Sequence, residues 1–329
     1  PVSLPRRPPR PTLEADRRQR QMCIRDRSKA SRLLSVGRVK EAQTLLQDME
    51  SGEALALQTI IAIVNNDQER AFKRATDAVQ QAPQSAATHI AMSYAWQAKL
   101  NLTQALASAE QAVKHESNNA IAWARLAELQ LSTGALGKAL NSAQKATEHN
   151  VKLSRTQSIL GYAYLARINI DEAMAVFSKA IELDQTDPLP RMGLGLAKIR
   201  KGHLNEGRRE IEIAASLDPN NAIIRSYLGK AYFDERRAPL DAGHFAMSKQ
   251  LDPNDPTPYF YDAIRRQTEN DPVGALENLN RSIELNDNRA VYRSSLLLDK
   301  DGAARSASLA RIYQDLGFDQ LAVLEASKS

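Results

Sequence analysis

Residues 160–184 read LGYAYLARINIDEAMAVFSKAIELD, and this stretch decides the fold. Its apolar residues fall at helical spacing on both sides of the short turn Arg167-Ile168-Asn169, without the strict alternation of a strand. The stop signal Asp184-Gln185-Thr186-Asp187-Pro188 follows, since proline ends a helix and Asp or Asn caps the next one. The stretch therefore predicts a pair of helices that ends where the next unit begins.

The same pattern returns along most of the chain at one constant spacing, the distance in sequence from Ala71 to Ala105. Only Asp241 interrupts the small, uncharged character of the series Ala71, Ala105, Ala139, Ala173, Gly207, Asp241 and Ala275. A second series in phase with it is Ala109, Ala143, Phe177, Ile211, Phe245 and Leu279. A fixed period of this size indicates a stack of identical supersecondary units and not a single globular core.

The small residues have a packing role, because two antiparallel helices approach closely only where side chains are small. We expect Gly161 or Ala127 on a first helix to face Ala173 or Ala139 on the second helix of the same unit. The large residues then fill the groove towards the next unit.

Residues 160–184 strongly resemble a tetratricopeptide repeat, and so do Trp123-Ala124-Arg125-Leu126-Ala127 with Ala139. Leu228-Gly229-Lys230-Ala231-Tyr232 with Phe245 repeats the resemblance, which covers about residues 30–329. It implies an all-α fold, a right-handed superhelical solenoid of antiparallel helix pairs, with about eight to nine repeats.

The spacing departs from this period near both ends of the array. Ala42 and Ala71 lie closer together than one period, whereas Ala275 and Ala322 lie farther apart than one period. We therefore divide the chain into a segment 1–27 without repeat phase, a repeat array 28–288, an insert 289–302 and a partial terminal repeat 303–329.

Residues 1–27 are rich in Arg and Pro, and their sequence resembles a translated sequencing adaptor. Arg17-Arg18-Gln19-Arg20-Gln21-Met22-Cys23-Ile24-Arg25-Asp26 is what a transposon-end adaptor gives when it is read in frame. We interpret the segment as non-native and exclude it from fold reasoning. The alternative is a natural basic, disordered N-terminal arm.

Excluding this segment changes what the charge implies. It holds eight Arg and three acidic residues, a net charge of +5, and the whole chain is also +5. The basic and acidic residues of 28–329 are therefore equal in number, and without a basic stripe we expect no nucleic-acid partner.

The single cysteine, Cys23, lies in the excluded segment, so neither disulfides nor cysteine-based zinc sites are expected. No apolar run approaches the length of a membrane span, so none is expected in this chain.

The sequence offers no catalytic constellation, and we predict a non-enzymatic protein with no catalytic residues, no metal and no cofactor. His115 and His149 are one repeat apart, but no third ligand has metal-site spacing. Gly193-Leu194-Gly195 lacks the strand that a dinucleotide-binding loop needs, and helix packing explains Gly195.

The resemblance implies that the first helix of each unit lines the concave side of the array. We predict that this groove binds a protein or peptide partner through a set of large or charged side chains: Tyr94, Arg155, Tyr162, Met192, Lys230, Phe233 and Phe260. Chaperone-binding relatives hold a carboxylate there with Lys and Asn, and that pattern is absent here.

The segment from Tyr292 to Phe318 is similar to large Gram-negative bacterial proteins whose repeat array precedes an outer-membrane barrel. This second resemblance implies a periplasmic or outer-membrane-associated location, favoured over the cytoplasm. We predict an interaction scaffold that forms the periplasmic part of an envelope protein. One alternative is the repeat arm of a larger enzyme, such as a glycosyltransferase, whose catalytic domain lies outside this chain. A third possibility is a cytosolic assembly or regulatory adaptor.

Overall fold

A computed structural model describes residues 25–34, 38–285 and 302–327, with side chains from residue 307 in the last range. Most of the excluded segment 1–27 and nearly all of the predicted insert 289–302 therefore lie outside the described residues. Residues 25–27, which belong to the excluded segment, form the start of the first described helix.

The described residues form two compact units, one up to Glu116 and one from Ser117 onward. The first unit holds helices α1–α6 at 25–34, Val39–Leu46, Gly52–Val64, Gln68–Gln81, Ala86–Ala98 and Leu102–His115. The second unit holds α7–α18 at Ala120–Ser132, Leu136–His149, Ser154–Ala166, Ile170–Leu183, Pro188–Arg200, Leu204–Leu217, Ala222–Asp234, Leu240–Leu251, Pro256–Thr268, Pro272–Glu284, Gly302–Asp315 and Asp319–Ala326.

Helices that follow one another pack as pairs, from α3 with α4 to α17 with α18. A turn of a few residues joins the two members, which makes them antiparallel. The prediction of an all-α array of antiparallel helix pairs is confirmed for the described ranges, which contain no strand. Within these ranges, no helix combines the length and the apolar character that crossing a membrane requires.

A residue with left-handed backbone closes the turn inside each pair from α3–α4 to α15–α16. The positions recur at the repeat spacing: Asn66, Leu100, Gly134, Ile168, Gly202, Arg236 and Asn270. The N–H of the next residue donates to a carbonyl five residues earlier, as from Asn169 to Tyr164 over 3.0 Å. This is the Schellman arrangement, which satisfies the last carbonyl groups of the first helix.

A side-chain N–H ties the start of several first helices to the preceding loop. In each case the acceptor is the carbonyl six residues before the donor. Trp123 donates to Ser117 over 2.7 Å, Gln157 to Val151 over 2.9 Å, and Arg225 to Pro219 over 2.9 Å. His89 and Pro83 make the same contact over 2.8 Å in the first unit. Four chemically different side chains at equivalent positions thus serve one structural purpose.

The core of the first unit is built from small residues. The second helices α4 and α6 bury alanines without exposed surface, namely Ala71, Ala75, Ala78, Ala105, Ala109 and Ala112. Beside them, the Trp96 ring packs edge-on against Phe72, with 4.6 Å between the ring centroids.

The core of the second unit pairs large side chains with glycines. A Cβ atom added at Gly161 would lie 2.6 Å from the Phe177 ring, so this glycine leaves room for an aromatic side chain of α10. A Cβ at Gly195 would lie 2.6 Å from the Gly207 carbonyl oxygen. The predicted contact between small residues is therefore present in α11–α12, and in α9–α10 the glycine makes room for the Phe177 ring.

Asp241, the exception in the series of small residues, has a local explanation. The other residues of that series are the fourth of their helices, but α14 begins at Leu240 and Asp241 is its second residue. Asp241 is buried, and its Oδ1 accepts the N–H of Ala242 over 2.7 Å. A carboxylate in the first turn of a helix is favoured by the unpaired N–H groups there.

Candidate functional site

The predicted groove residues do not form one exposed surface. Tyr94 lies in the first unit on α5 and is half-buried, whereas the other six lie in the second unit. Tyr162, Met192 and Phe260 are only 2, 0 and 5% exposed. For these three side chains the expectation of an open groove position is wrong, because they pack between helices. Ligand binding at the remaining positions stays a prediction.

Tyr162 shows why a large side chain on a first helix can be structural. Its hydroxyl donates to the Leu189 carbonyl over 2.6 Å, and its ring packs edge-on against Phe177 at 4.9 Å. Burial, together with the nearby Asp187 carboxylate, raises the pKa of Tyr162 well above its usual value. Tyr162 therefore links α9 to the start of α11.

The Arg155 side chain is 43% exposed, in contrast to the buried Tyr162, Met192 and Phe260. It is, however, already ion-paired. Its guanidinium lies 3.0 Å from a Glu128 carboxylate oxygen, which is also 3.2 Å from the fully buried Arg125. Burial alone would raise the pKa of Glu128, but the two arginines outweigh it and lower that pKa. Arg155 thus belongs to a charge cluster that stabilises the fold.

A pocket of about 220 Å³ opens between α11, α13 and α15, the first helices of three consecutive repeats. Its buried lining is apolar and aromatic: Leu196, Tyr227, Ala231 and Tyr261, with half-buried Ile199 beside them. Arg200, Lys230 and Asp234 are more exposed and form its mouth. Of the predicted binding residues, only Lys230 lines this pocket.

The residues of the pocket hold one another in place. The Lys230 ammonium lies 2.7 Å from an Asp234 carboxylate oxygen and 5.7 Å from the centre of the Tyr261 ring. The Tyr227 and Tyr261 rings meet edge to face at 6.1 Å. Arg200 donates to the Leu165 carbonyl over 3.3 Å, which anchors its side chain at the mouth. The pocket is thus an apolar cavity with a charged entrance, suited to binding an apolar group.

Several pocket residues were missed from the sequence, although a signal for them existed. Tyr227 and Tyr261 are one repeat apart, as are Arg200 and Asp234, so each pair occupies equivalent positions in neighbouring repeats. Phe233, which was predicted, is half-buried on α13 and does not line the pocket.

The described residues show few features of a metal-binding or catalytic site. They contain no group of three or more His, Cys, Asp or Glu side chains that could hold a metal ion. The His89 and His115 rings stack at 5.2 Å in the first unit, which is a packing contact. Burial lowers the pKa of His244, whose ring stacks on Tyr232 at 5.4 Å.

Comparison with known proteins agrees with the helix-pair architecture. Residues 97–151 and 192–256 match the family described as tetratricopeptide repeat. A sequence search of curated proteins finds no match.

Solved structures share the fold at low sequence identity. A chain of the APC/C hetero-tetramer Cut9–Hcn1 aligns with a TM-score of 0.67 and 17% identity over 86% of this chain. This chain spans 54% of that one. A chain of the human IFIT1 dimer with PPP-AAAA aligns with a TM-score of 0.61 and 15% identity. The alignment covers 91% of this chain and 80% of the IFIT1 chain. A tetratricopeptide repeat protein from Parabacteroides merdae aligns with a TM-score of 0.53 and 16% identity. The alignment covers 74% of this chain and 98% of that protein's chain.

The fold that these observations define is an all-α array of tetratricopeptide repeats. Each repeat is one helix pair, and the pocket lies on the face that first helices contribute in the second unit.

Proposed function

We propose that this chain is a non-enzymatic interaction scaffold that binds a peptide or a helix of a partner protein on the first-helix face of its second unit. The observation that carries the proposal is the pocket between α11, α13 and α15, where apolar and aromatic side chains lie behind a charged entrance. A cavity of this size accommodates one large side chain, and neighbouring first helices supply further contact area for an extended segment.

The experiment is a selection of phage-displayed random dodecapeptides on the full chain, followed by Kd measurement for selected peptides by fluorescence anisotropy. Ala231→Leu adds methyl groups inside the pocket, so we expect it to weaken binding by about tenfold. Ala246→Leu is the matched control, because Ala246 is exposed on α14 and does not line the pocket.

A thermal melt followed by circular dichroism confirms that both variants fold. If Ala231→Leu binds the selected peptides as tightly as the wild type while folded, the pocket is not the binding site. Phe233→Ala then tests whether the half-buried ring beside it contributes to an alternative site on the same face.

We propose a location in the periplasm or at the outer membrane, as part of an envelope protein. The similarity of Tyr292–Phe318 to large Gram-negative proteins supports it. Cell fractionation of the source organism with an antibody against the chain tests this location. Finding the protein in the cytosolic fraction alone would contradict it.

We propose further that nucleic acid is not the partner, supported by the balanced charge of residues 28–329. The IFIT1 structure contains PPP-AAAA, so this compound is an informative probe. Micromolar binding of PPP-AAAA at physiological salt would overturn this part of the proposal.

A further inference from the structure

The entrance of the pocket carries an uncompensated positive charge. Lys230 and Asp234 neutralise each other over 2.7 Å, whereas no acidic side chain of the described residues forms an ion pair with Arg200. Arg200 keeps most of its five N–H donors for other contacts, since the structure assigns it one hydrogen bond, to the Leu165 carbonyl.

The lack of an ion pair distinguishes Arg200 from the other cations of its segment. Arg191 and Lys198 share the Glu210 carboxylate at 2.8 and 3.0 Å, and Lys201 lies 2.6 Å from Asp171. Those pairs stabilise contacts between helices of the array. Arg200 instead borders an apolar cavity, where a carboxylate from another molecule would find a guanidinium that is already oriented.

We propose that the partner segment carries a Phe, Tyr, Leu or Ile side chain directly next to an Asp or Glu, with the apolar side chain in the pocket and the carboxylate on Arg200. This inference rests on the proposed function and specifies its partner. The apolar side chain is held by Leu196, Ala231 and the two tyrosine rings, and the acidic residue confers selectivity at the entrance.

Two features of the site favour an acidic over a basic neighbour. Asp234 is held by Lys230, so it is not free to attract a cation. Moreover, Lys230 already lies 5.7 Å from the centre of the Tyr261 ring, whose face would otherwise favour a cation from the partner. A basic residue at the entrance would face Arg200 without a free carboxylate.

The test uses an array of dodecapeptides with one fixed apolar residue, followed by Asp, Glu, Asn, Gln or Lys, and random residues elsewhere. The strongest acidic peptides and their Asp→Asn or Glu→Gln counterparts are then compared by fluorescence anisotropy on the full chain. We expect the acidic member to bind about fivefold more tightly, as a charge-assisted hydrogen bond at a partly exposed site implies.

Arg200→Gln should remove this preference, so that acidic peptides and their amide counterparts bind the variant with equal affinity. Arg209→Gln is the matched control, since Arg209 is an exposed cation on α12 outside the pocket. Loss of the preference in both variants would indicate a general charge effect and would overturn the assignment to Arg200.

The failures of the two proposals are distinguishable. If apolar peptides bind and Ala231→Leu weakens them, but acidic and amide peptides bind equally, the acidic specificity is wrong while the pocket remains the binding site. If Ala231→Leu changes nothing, the pocket itself is not used and both proposals fall.

Discussion

The neighbouring helix pairs α11–α12 and α13–α14 differ at equivalent positions of the repeat. The first pair has Gly195, Gly202 and Gly207 where the second has Gly229, Arg236 and Asp241. In α11–α12 the backbones meet directly, since a Cβ at Gly207 would lie 2.5 Å from the Gly195 carbonyl oxygen.

In α13–α14 the backbones approach less closely. A Cβ added at Gly229 would lie 3.2 Å from the Asp241 carbonyl oxygen and 3.0 Å from the Phe245 ring, where α12 has Ile211 at the position of Phe245. The comparison teaches that the two helix pairs keep the same backbone arrangement although their side chains differ. Each pair reaches that geometry with its own combination of small and large side chains.

The largest expected effect is that of Gly207→Ala, which places a methyl group against backbone atoms that cannot move independently. We expect it to lower the free energy of unfolding by about 3 kcal/mol, because overpacking outweighs the gain in helix propensity. Chemical denaturation of the full chain measures it. Gly243→Ala on α14 is the control, since nothing lies within 4 Å of the added atom, and it should be neutral or slightly stabilising.

The helix starts provide a second comparison, between Asn221 before α13 and Asp255 before α15, which are one repeat apart. Both accept backbone N–H groups, of Ile224 over 3.2 Å and of Thr257 over 2.8 Å. Asp255 is 1% exposed, and burial raises the pKa of its carboxyl to about 6. Because the folded chain holds this proton more tightly than the unfolded chain does, stability falls as pH rises from about 4 to about 6.

Asp255→Asn supplies the residue that α13 already uses and removes the buried charge. We expect a gain of about 2 kcal/mol above pH 6 and almost none at pH 4, where the aspartic acid is neutral. Thermal melts across this pH range measure the difference. An equal gain at both pH values would mean that the charge of Asp255 is not the cause.

Substitutions at the left-handed turn positions should change the free energy of unfolding less, and with opposite sign in α11–α12 and α13–α14. Arg236 is left-handed at a φ of 56°, which suits glycine, whereas Gly202 already occupies the equivalent position at 97°. We expect Arg236→Gly to stabilise the chain by about 0.5–1 kcal/mol and Gly202→Ala to destabilise it by at least as much. If denaturation midpoints shift in the same direction for both, the turn does not set their energetics.

The smallest effect is expected outside both pairs, from deletion of residues 1–27. Among the described residues the deletion removes the first three residues of α1 and the partly exposed ion pair of Arg27 with Glu53 at 3.0 Å. Helix ends fray readily and such ion pairs contribute under about 1 kcal/mol. The melting temperature by differential scanning calorimetry should therefore stay almost unchanged. A fall of several degrees would show that the segment packs on the array and is native.

Sequence periodicity predicted the helix pairs because each pair needs small residues where its two helices approach closely. Small residues therefore recur at the same position of each repeat. It did not reveal the left-handed turn position, since Leu100, Ile168 and Arg236 are not residue types that favour that conformation. The burial of Tyr162 and Phe260 was missed for a different reason. A large residue on a first helix can contact either a ligand or the next repeat, and sequence spacing is identical in both cases.

The single tryptophan that each unit contains offers an optical handle on the array. Trp96 packs on Phe72 in the first unit, whereas the indole of Trp123 in the second unit donates to Ser117 and lies under the Lys145 ammonium. Since the chain has two tryptophans, Trp96→Phe and Trp123→Phe variants each emit from one unit alone. Fluorescence would then resolve whether the two units lose structure in one transition or in sequence, without any added label.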